Sequence, residues 1–331
     1  MTTPVTPPDT ISAGQLMRIV DTACRAPSLH NSQPWRWSFD AGVLRLIADH
    51  ARVGHHTDST GREVILSCGA ALNHLEVAAA VTRWQVIVDR LPDPRDRDLL
   101  ATATFHHAAA VDKHVRALAT AIDHRRTDRR PLAAPEPWAD LEARLREILD
   151  GTEVDLDVID DNGRPALADA SRRNEQDRRD DASYRYELLW WTGYSHVSDG
   201  IPPGALPSSA EAELVDVARD FPVYSSGDRS SQIDRDHSRV LVLSTFDDSP
   251  RNTLECGESL SRVLLECTAA GLATCPLTHM IEVHDSREVI RRLIGRHAEP
   301  QVLIRVGRSP DTSSPPARTP RRPVDEVLRI G

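Results

Sequence analysis

The sequence predicts an α+β protein built as two halves, each combining a small sheet with one long buried helix. Three observations carry this. Long apolar helical patterns occupy residues 59–81 and 252–270, each with apolar residues spaced for a buried face. Short strand-like runs flank both: 34–47, 85–91 and 101–106 in the first half, 154–159, 239–246 and 301–307 in the second. The order of helix, polar or basic loop, sheet elements and long helix occurs once per half, with no short-period repeat.

Residues 1–11 are polar and proline-rich and are expected to form a disordered tail. The first half is placed at 12–112. It opens with a helix over 12–26 that has Ser12 as N-cap and is stopped by Pro27. A hairpin follows over 34–47, turning at Asp40-Ala41-Gly42. The second half is placed at 113–331. A helix over 114–124 leads into the basic run Arg125–Arg130, a proline-marked connector, and a helix over 138–149. Residues 172–236 break the pattern, first highly charged and then aromatic (Tyr184, Tyr186, Trp190, Trp191, Tyr194), and read as a lid-like insertion. The helix over 252–270 closes on Gly271 at C′; a turn is expected at 274–279, a helix at 286–294, and a proline-rich tail after the last strand.

A formal charge of −10 argues against general nucleic-acid binding, which needs a basic face. Lys113 is the only lysine among 40 basic residues, so any phosphate site must be built from guanidinium and backbone N–H groups. The five cysteines form no CxxC pair, which points to a reducing, cytoplasmic setting rather than to zinc or disulfides. The N-terminus lacks the basic and apolar regions of a signal peptide, and no apolar run is read as long enough to span a bilayer. Adjacent histidines at 55–56 and 106–107 would point to opposite faces of a strand and are not assigned a metal. Ser28-Leu29-His30 is too local for a serine–histidine catalytic pair.

The most specific string is Ala26-Pro27-Ser28-Leu29-His30-Asn31-Ser32-Gln33-Pro34-Trp35. It resembles the APSxxNxQPW loop of nitroreductase-type flavoproteins. Arg125-Arg126-Thr127-Asp128-Arg129 resembles the RRSxR element of that family, Gly271 to Leu277 its glycine-leucine…proline turn, and Arg321-Arg322 its C-terminal basic pair. Together with LLWWTG, DGIPP, CPLTH and TPRRPVDEV, the pattern is similar to the actinobacterial Acg family across nearly the whole chain. The resemblance implies a nitroreductase-like fold in which both halves of the usual homodimer lie in one chain. It implies FMN contacts from Pro27, Ser28, Leu29, Asn31 and Gln33 in the loop, and from Pro276, Leu277 and Thr278 beside flavin N5. Arg125, Arg126, Thr127, Arg129, Arg321 and Arg322 are implied on the phosphate and pyrimidine sides.

In the dimeric relatives each site takes the loop from one subunit and the other elements from its partner. Here the loop occurs only in the first half and the arginine, turn and tail elements only in the second. One complete site per chain is therefore expected, in a monomer. Arginine suits the phosphate because its planar fork supplies several charge-assisted donors. The flavin carries the redox chemistry, so no separate catalytic residue is expected. The resulting function is an NAD(P)H-dependent reductase acting on a nitroaromatic or quinone-like acceptor. The alternative is an FMN-storing protein whose insertion covers the flavin. Neither nucleic acid nor membrane is an expected partner.

Overall fold

The computed structural model describes residues 10–108, 110–193, 198–225, 233–310 and 315–331. The expectations for residues 1–9 and for Tyr194 lie outside this set.

The first half runs α1 (Ala13–Ala23), β1 (Trp35–Asp40), β2 (Val43–Ala48), α2 (Arg62–Val81), β3 (Trp84–Arg90) and β4 (Leu99–His107). The second half runs α3 (Lys113–His124), α4 (Ala139–Glu147), β5 (Val154–Ile159), α5 (Arg164–Arg178), α6 (Ala182–Gly193), α7 (Ser209–Glu213), β6 (Arg239–Thr245), α8 (Pro250–Ala269), β7 (Ala273–Leu277), α9 (His284–Ile294) and β8 (Glu299–Gly307). The tail adds α10 (Val324–Val327) and β9 (Leu328–Ile330).

One sheet has the order β3-β4-β2-β1-β9 and the other, taken from its matching edge, β7-β8-β6-β5. The topology is thus repeated: β1, β2, β3 and β4 correspond to β5, β6, β7 and β8, and α2 corresponds to α8. Strand β9 pairs in parallel with β1, so the tail of the second half completes the sheet of the first.

Local chemistry accounts for the elements. Ser12 and Gln15 form a capping box at the start of α1. Ala41 and Gly42 both hold positive φ (49° and 81°), the left-handed pair a two-residue hairpin turn requires. At the end of α8 the Gly271 and Leu272 N–H groups return to the carbonyls of Thr268 and Cys267, a Schellman closure.

Helices α2 and α8 cross at the centre of the molecule, where Gly69 meets Gly257. A Cβ on Gly69 would lie 2.1 Å from the Leu254 carbonyl oxygen, and one on Gly257 2.1 Å from that of Leu66. Only glycine permits this approach. Beside the crossing the Ser261 hydroxyl donates to Asn73 Oδ1 (2.7 Å), so His74 Nδ1 must donate to Ser261 Oγ (2.8 Å).

The structure corrects three expectations. Residues 274–279 are largely edge strand β7 rather than a turn, and an edge strand tolerates Pro276. The expected insertion boundary at residue 172 falls inside α5, whose Leu167 and Ala170 belong to the second half's core. Residues 160–238, joining β5 to β6, stand where β1 and β2 have a two-residue turn. Finally, α2 is long and apolar enough to cross a membrane by length and composition, with a mean hydropathy of 1.6, but 78% of that span is buried inside the protein.

Candidate functional site

A cavity of about 450 Å³ lies between the two halves, in the size range of small-molecule and cofactor sites. Its walls come from the loop after α1, the first turns of α2, the segment after α3, strand β7, the tail and residues 171–224. Twelve of the fourteen residues assigned by resemblance line it: Pro27, Ser28, Leu29, Asn31, Arg125, Arg126, Thr127, Arg129, Pro276, Leu277, Thr278 and Arg321.

Gln33 and Arg322 are not on the wall. Gln33 is fully buried, donating to Ser198 O (2.8 Å) and accepting from Arg322 N–H (2.9 Å). The Arg322 guanidinium runs along α10 toward Glu326, with Nε 3.7 Å from the carboxylate. Asn31 lines the cavity, yet its amide is also a tie: Nδ2 donates to Gly200 O (2.9 Å) and Pro320 O (3.0 Å), and Oδ1 accepts from Arg321 (2.8 Å). The loop is bent to make these ties, with His30, Asn31 and Gln33 all at positive φ (50°, 59° and 52°).

At one end of the cavity the guanidinium groups of Arg125 and Arg321 converge with no carboxylate partner among the described residues. Arg125 caps α3 and is 6% exposed; its Nε and Nη1 are buried with no hydrogen-bond partner among the described residues. Burial, then Arg126 and Arg25, push its pKa down to about 10. Arg321 is surrounded by neutral acceptors, including Cys24 O (2.9 Å), Arg25 O (3.0 Å) and Thr319 Oγ1 (2.7 Å). Burial, then Arg125 and Arg25, push it down to about 9. Arg25 reaches the exposed carboxylate of Asp123 at 3.2 Å. Sequence reasoning missed Arg25, which only folding brings beside Arg125 and Arg321.

The segment carrying Arg125–Arg130 is held from behind by a buried ionic network. Arg130 pairs with Asp128 (2.7 Å), and Arg305 with Asp236 (2.6 Å), which also pairs with Arg164 (2.7 Å) and accepts from the Ser238 hydroxyl (2.6 Å) and the Leu132 N–H (2.8 Å). Burial opposes the Asp236 charge, but Arg305 and these hydrogen bonds hold its pKa down to about 2. Arg129 takes a different surrounding, with its guanidinium 5.3 Å over the Phe221 ring and a 3.3 Å bond to Ala205 O.

The opposite end holds carboxyl groups. Burial raises Glu63, in the first turn of α2, to about 8 despite its ion pair with Arg62. Burial also raises Glu175 on α5 to about 7. Between them Arg219 pairs with Glu282 and donates to the Tyr184 hydroxyl (3.0 Å). Nothing in the spacing of these residues marks them as neighbours; α5 and the 212–224 segment bring them together.

Residues 160–238 also fasten themselves to the first half. The Glu187 carboxylate accepts from the N–H groups of His56 and Thr57 and from the Thr57 hydroxyl, each at 3.0 Å. Asp199 pairs with Arg52. Trp191 is buried in this region, whereas Trp190 is 46% exposed.

No protein-family model matches the chain. It is 48% identical over 324 residues to a Mycobacterium tuberculosis (strain H37Rv) protein named "Putative NAD(P)H nitroreductase acg", with 98% of each chain covered. Two further proteins of that organism are similar. "Uncharacterized protein Rv3127" is 47% identical over 95% of this chain and 93% of its own length. "Putative NAD(P)H nitroreductase Rv3131" is 36% identical over 94% and 90%. Among solved structures, the FMN-dependent nitroreductase NfnB from Mycobacterium smegmatis in complex with NADPH covers 66% of this chain and 100% of its own, at 16% identity and a TM-score of 0.40. A Bacteroides fragilis nitroreductase with bound FMN covers 61% and 93%, at 11% identity and a TM-score of 0.39.

Proposed function

The chain belongs to the nitroreductase-type family of the mycobacterial acg proteins, and on that premise we propose that it holds one FMN and passes electrons from NAD(P)H to a small aromatic acceptor. The observation that carries the FMN assignment is the pair Arg125 and Arg321. Both are buried cations on the wall of the cavity, and among the described residues neither has a carboxylate partner. A phosphate dianion supplies the missing charge, and arginine forks suit its oxygens. FMN, when bound, supplies the two-electron chemistry.

The chain's own residues then have distinct tasks. Arg125, Arg321 and Arg25 would hold the phosphate, with Thr319 adding a hydroxyl. Ser28, Leu29, Thr127, Arg129, Pro276 and Leu277 would bound the ring, and Thr278 would flank it. Residues 160–238 exclude water from this space. One such constellation exists per chain, and the α2/α8 crossing already supplies the interface between halves, so the working unit is a monomer. The names of the relatives support NAD(P)H as reductant and a nitro compound as acceptor, and a nitroaromatic or quinone-like ring is the acceptor proposed here. The five free, buried thiols support a cytoplasmic setting.

A second reading, flavin sequestration with little turnover, is favoured by the Glu187–Thr57 and Asp199–Arg52 ties that hold residues 160–238 over the cavity. One experiment addresses both readings. Flavin released by heat is quantified against protein, and the holoprotein is mixed anaerobically with NADH or NADPH while flavin absorption is followed. Close to one FMN per chain and rapid bleaching are expected. Protein without flavin, or a ratio near two, defeats the assignment. Bleaching by dithionite but not by NAD(P)H selects sequestration over reduction.

A further inference from the structure

The loop after α1 leaves one polar side chain uncommitted on the cavity wall. Asn31 and Gln33 tie their amides to the tail and to residues 198–200. His30 lines the cavity at 6% exposure, and both of its ring nitrogens are buried without a hydrogen-bond partner among the described residues. Its backbone is left-handed, with φ 50° and ψ 21°. An unsatisfied buried imidazole and a left-handed non-glycine backbone are each unfavourable, and here they coincide at one point of a binding wall.

The surroundings of His30 define what it can meet. Its ring lies edge-on to Phe221 at 6.3 Å and tilted to Trp191 at 6.5 Å, both from residues 160–238. Burial first, then the cations Arg219 and Arg129, hold the imidazole neutral. A neutral imidazole has one N–H to donate and one lone pair. Arg219 is paired with Glu282, but Arg129 meets only the Phe221 ring and the Ala205 carbonyl, and its charge favours an electron-rich oxygen over a cationic ligand. Aromatic side chains beside it favour a planar ring.

We infer that His30 recognises the acceptor: its imidazole N–H binds an oxygen of a planar nitro or quinone compound whose ring rests against Phe221. This rests on the cavity being the flavin site proposed above.

The test uses oxidised holoprotein without reductant, so that binding is read apart from turnover. 4-Nitrobenzyl alcohol is titrated while the flavin absorption band is followed, with benzyl alcohol as the control lacking nitro oxygens. In His30→Phe the affinity for the nitro compound falls ten- to hundredfold, benzyl alcohol binding moves less than threefold, and flavin content is unchanged. His30→Gln, which restores an N–H donor, recovers most of the loss. In wild-type protein labelled with ¹⁵N-histidine, one His30 ring nitrogen shifts on adding the nitro compound and not on adding benzyl alcohol. Equal nitro-compound affinity in wild type and His30→Phe overturns the inference, as does an unmoved ¹⁵N signal. Flavin loss in step with nitro-compound affinity assigns His30 to the cofactor and overturns it too. Wild-type protein without flavin overturns the proposed function itself, an outcome distinct from the others.

Discussion

On one side of the α2/α8 crossing the end of β7 faces α2 across the cavity, through Leu277 and Thr278 on one wall and Glu63, Leu66 and Ser67 on the other. On the opposite side the end of β3 faces α8, and the corresponding gap is closed. There Arg90 grips Glu258 with two hydrogen bonds of 2.7 and 2.6 Å, with Glu76 and Arg262 at 3.8 and 3.9 Å. The two places share a scaffold and differ in charge pairing. Arg90 has its anion built in, whereas Arg125 and Arg321 have none among the described residues. A repeated fold provides two sites of similar shape, and unmatched charge marks the one able to bind an anion.

The largest expected effect comes from the element both sides share. Gly69→Ala or Gly257→Ala places a Cβ 2.1 Å from a backbone carbonyl of the facing helix, a contact no side-chain rotation relieves. Each should cost about 3 kcal/mol or more, read as a fall in urea midpoint, and should loosen flavin binding by parting the cavity walls. A loss below about 1 kcal/mol would show that the crossing is adaptable and does not set the spacing of the two gaps.

Next in size is the closed side. Glu258 is 1% exposed, so Arg90→Ala leaves a buried carboxylate with only Arg262, at 3.9 Å, and should destabilise by about 3 kcal/mol. The double change Arg90→Met with Glu258→Leu removes both charges and should return to within about 1 kcal/mol of wild type. Flavin content should stay constant in both variants. If the single change releases flavin, the closed side is coupled to the open one and the two are not independent.

Much of this comparison was legible in the sequence, for reasons that separate local from tertiary signals. Strand β5, the β1–β2 turn and the Gly271 closure of α8 follow from side-chain alternation and turn chemistry within a few residues. The basic run and the loop after α1 were likewise visible as short strings. What was not legible depends on distant packing. Leu328–Ile330 become a strand only because β1 offers an open edge. Pro276 suggested a turn because its place at a sheet edge is not a local property. Arg25, His30 and Glu63 carry no spacing signal, since their partners Asp123, Phe221 and Arg62 reach them only through the folded packing or lie outside any periodic pattern.

On the open side, Arg125 distinguishes a ligand-binding arginine from a structural one by the sign of a stability change. Burial lowers its pKa in the folded chain from 12.5 to about 10, so the unfolded chain binds its proton more tightly. The charge therefore opposes folding throughout the range below about pH 10, and the opposition eases only as pH rises beyond that value. Arg125→Met should make the flavin-free protein more stable by about 1–2 kcal/mol at pH 7. It should also weaken FMN ten- to hundredfold, while riboflavin, which lacks the phosphate, changes less than threefold. A less stable flavin-free variant, or equal losses for the two flavins, would show that the open side is held together by Arg125 rather than waiting for an anion.

The smallest effect sharpens the comparison within the tail. Arg321 and Arg322 are adjacent and both were expected to meet the phosphate, but the chain turns them apart. Arg321 reaches the cavity wall among the carbonyls of residues 24–26, while Arg322 lies along α10 with Nη2 3.4 Å from Glu326 O. What Arg322 contributes toward the loop is its backbone N–H, donated to Gln33 at 2.9 Å, and any residue other than proline keeps that bond. Arg322→Ala should thus change FMN affinity less than threefold, roughly 0.6 kcal/mol, whereas Arg321→Ala should change it ten- to hundredfold. Isothermal titration of the flavin-free proteins with FMN and with riboflavin separates the two. A loss of more than tenfold in Arg322→Ala, confined to FMN, would mean that the side chain swings from Glu326 to the phosphate when the ligand binds. Arg322→Pro then serves as the contrast. It removes the N–H that holds Gln33, and should weaken FMN and riboflavin alike by disturbing the loop instead of the phosphate contact.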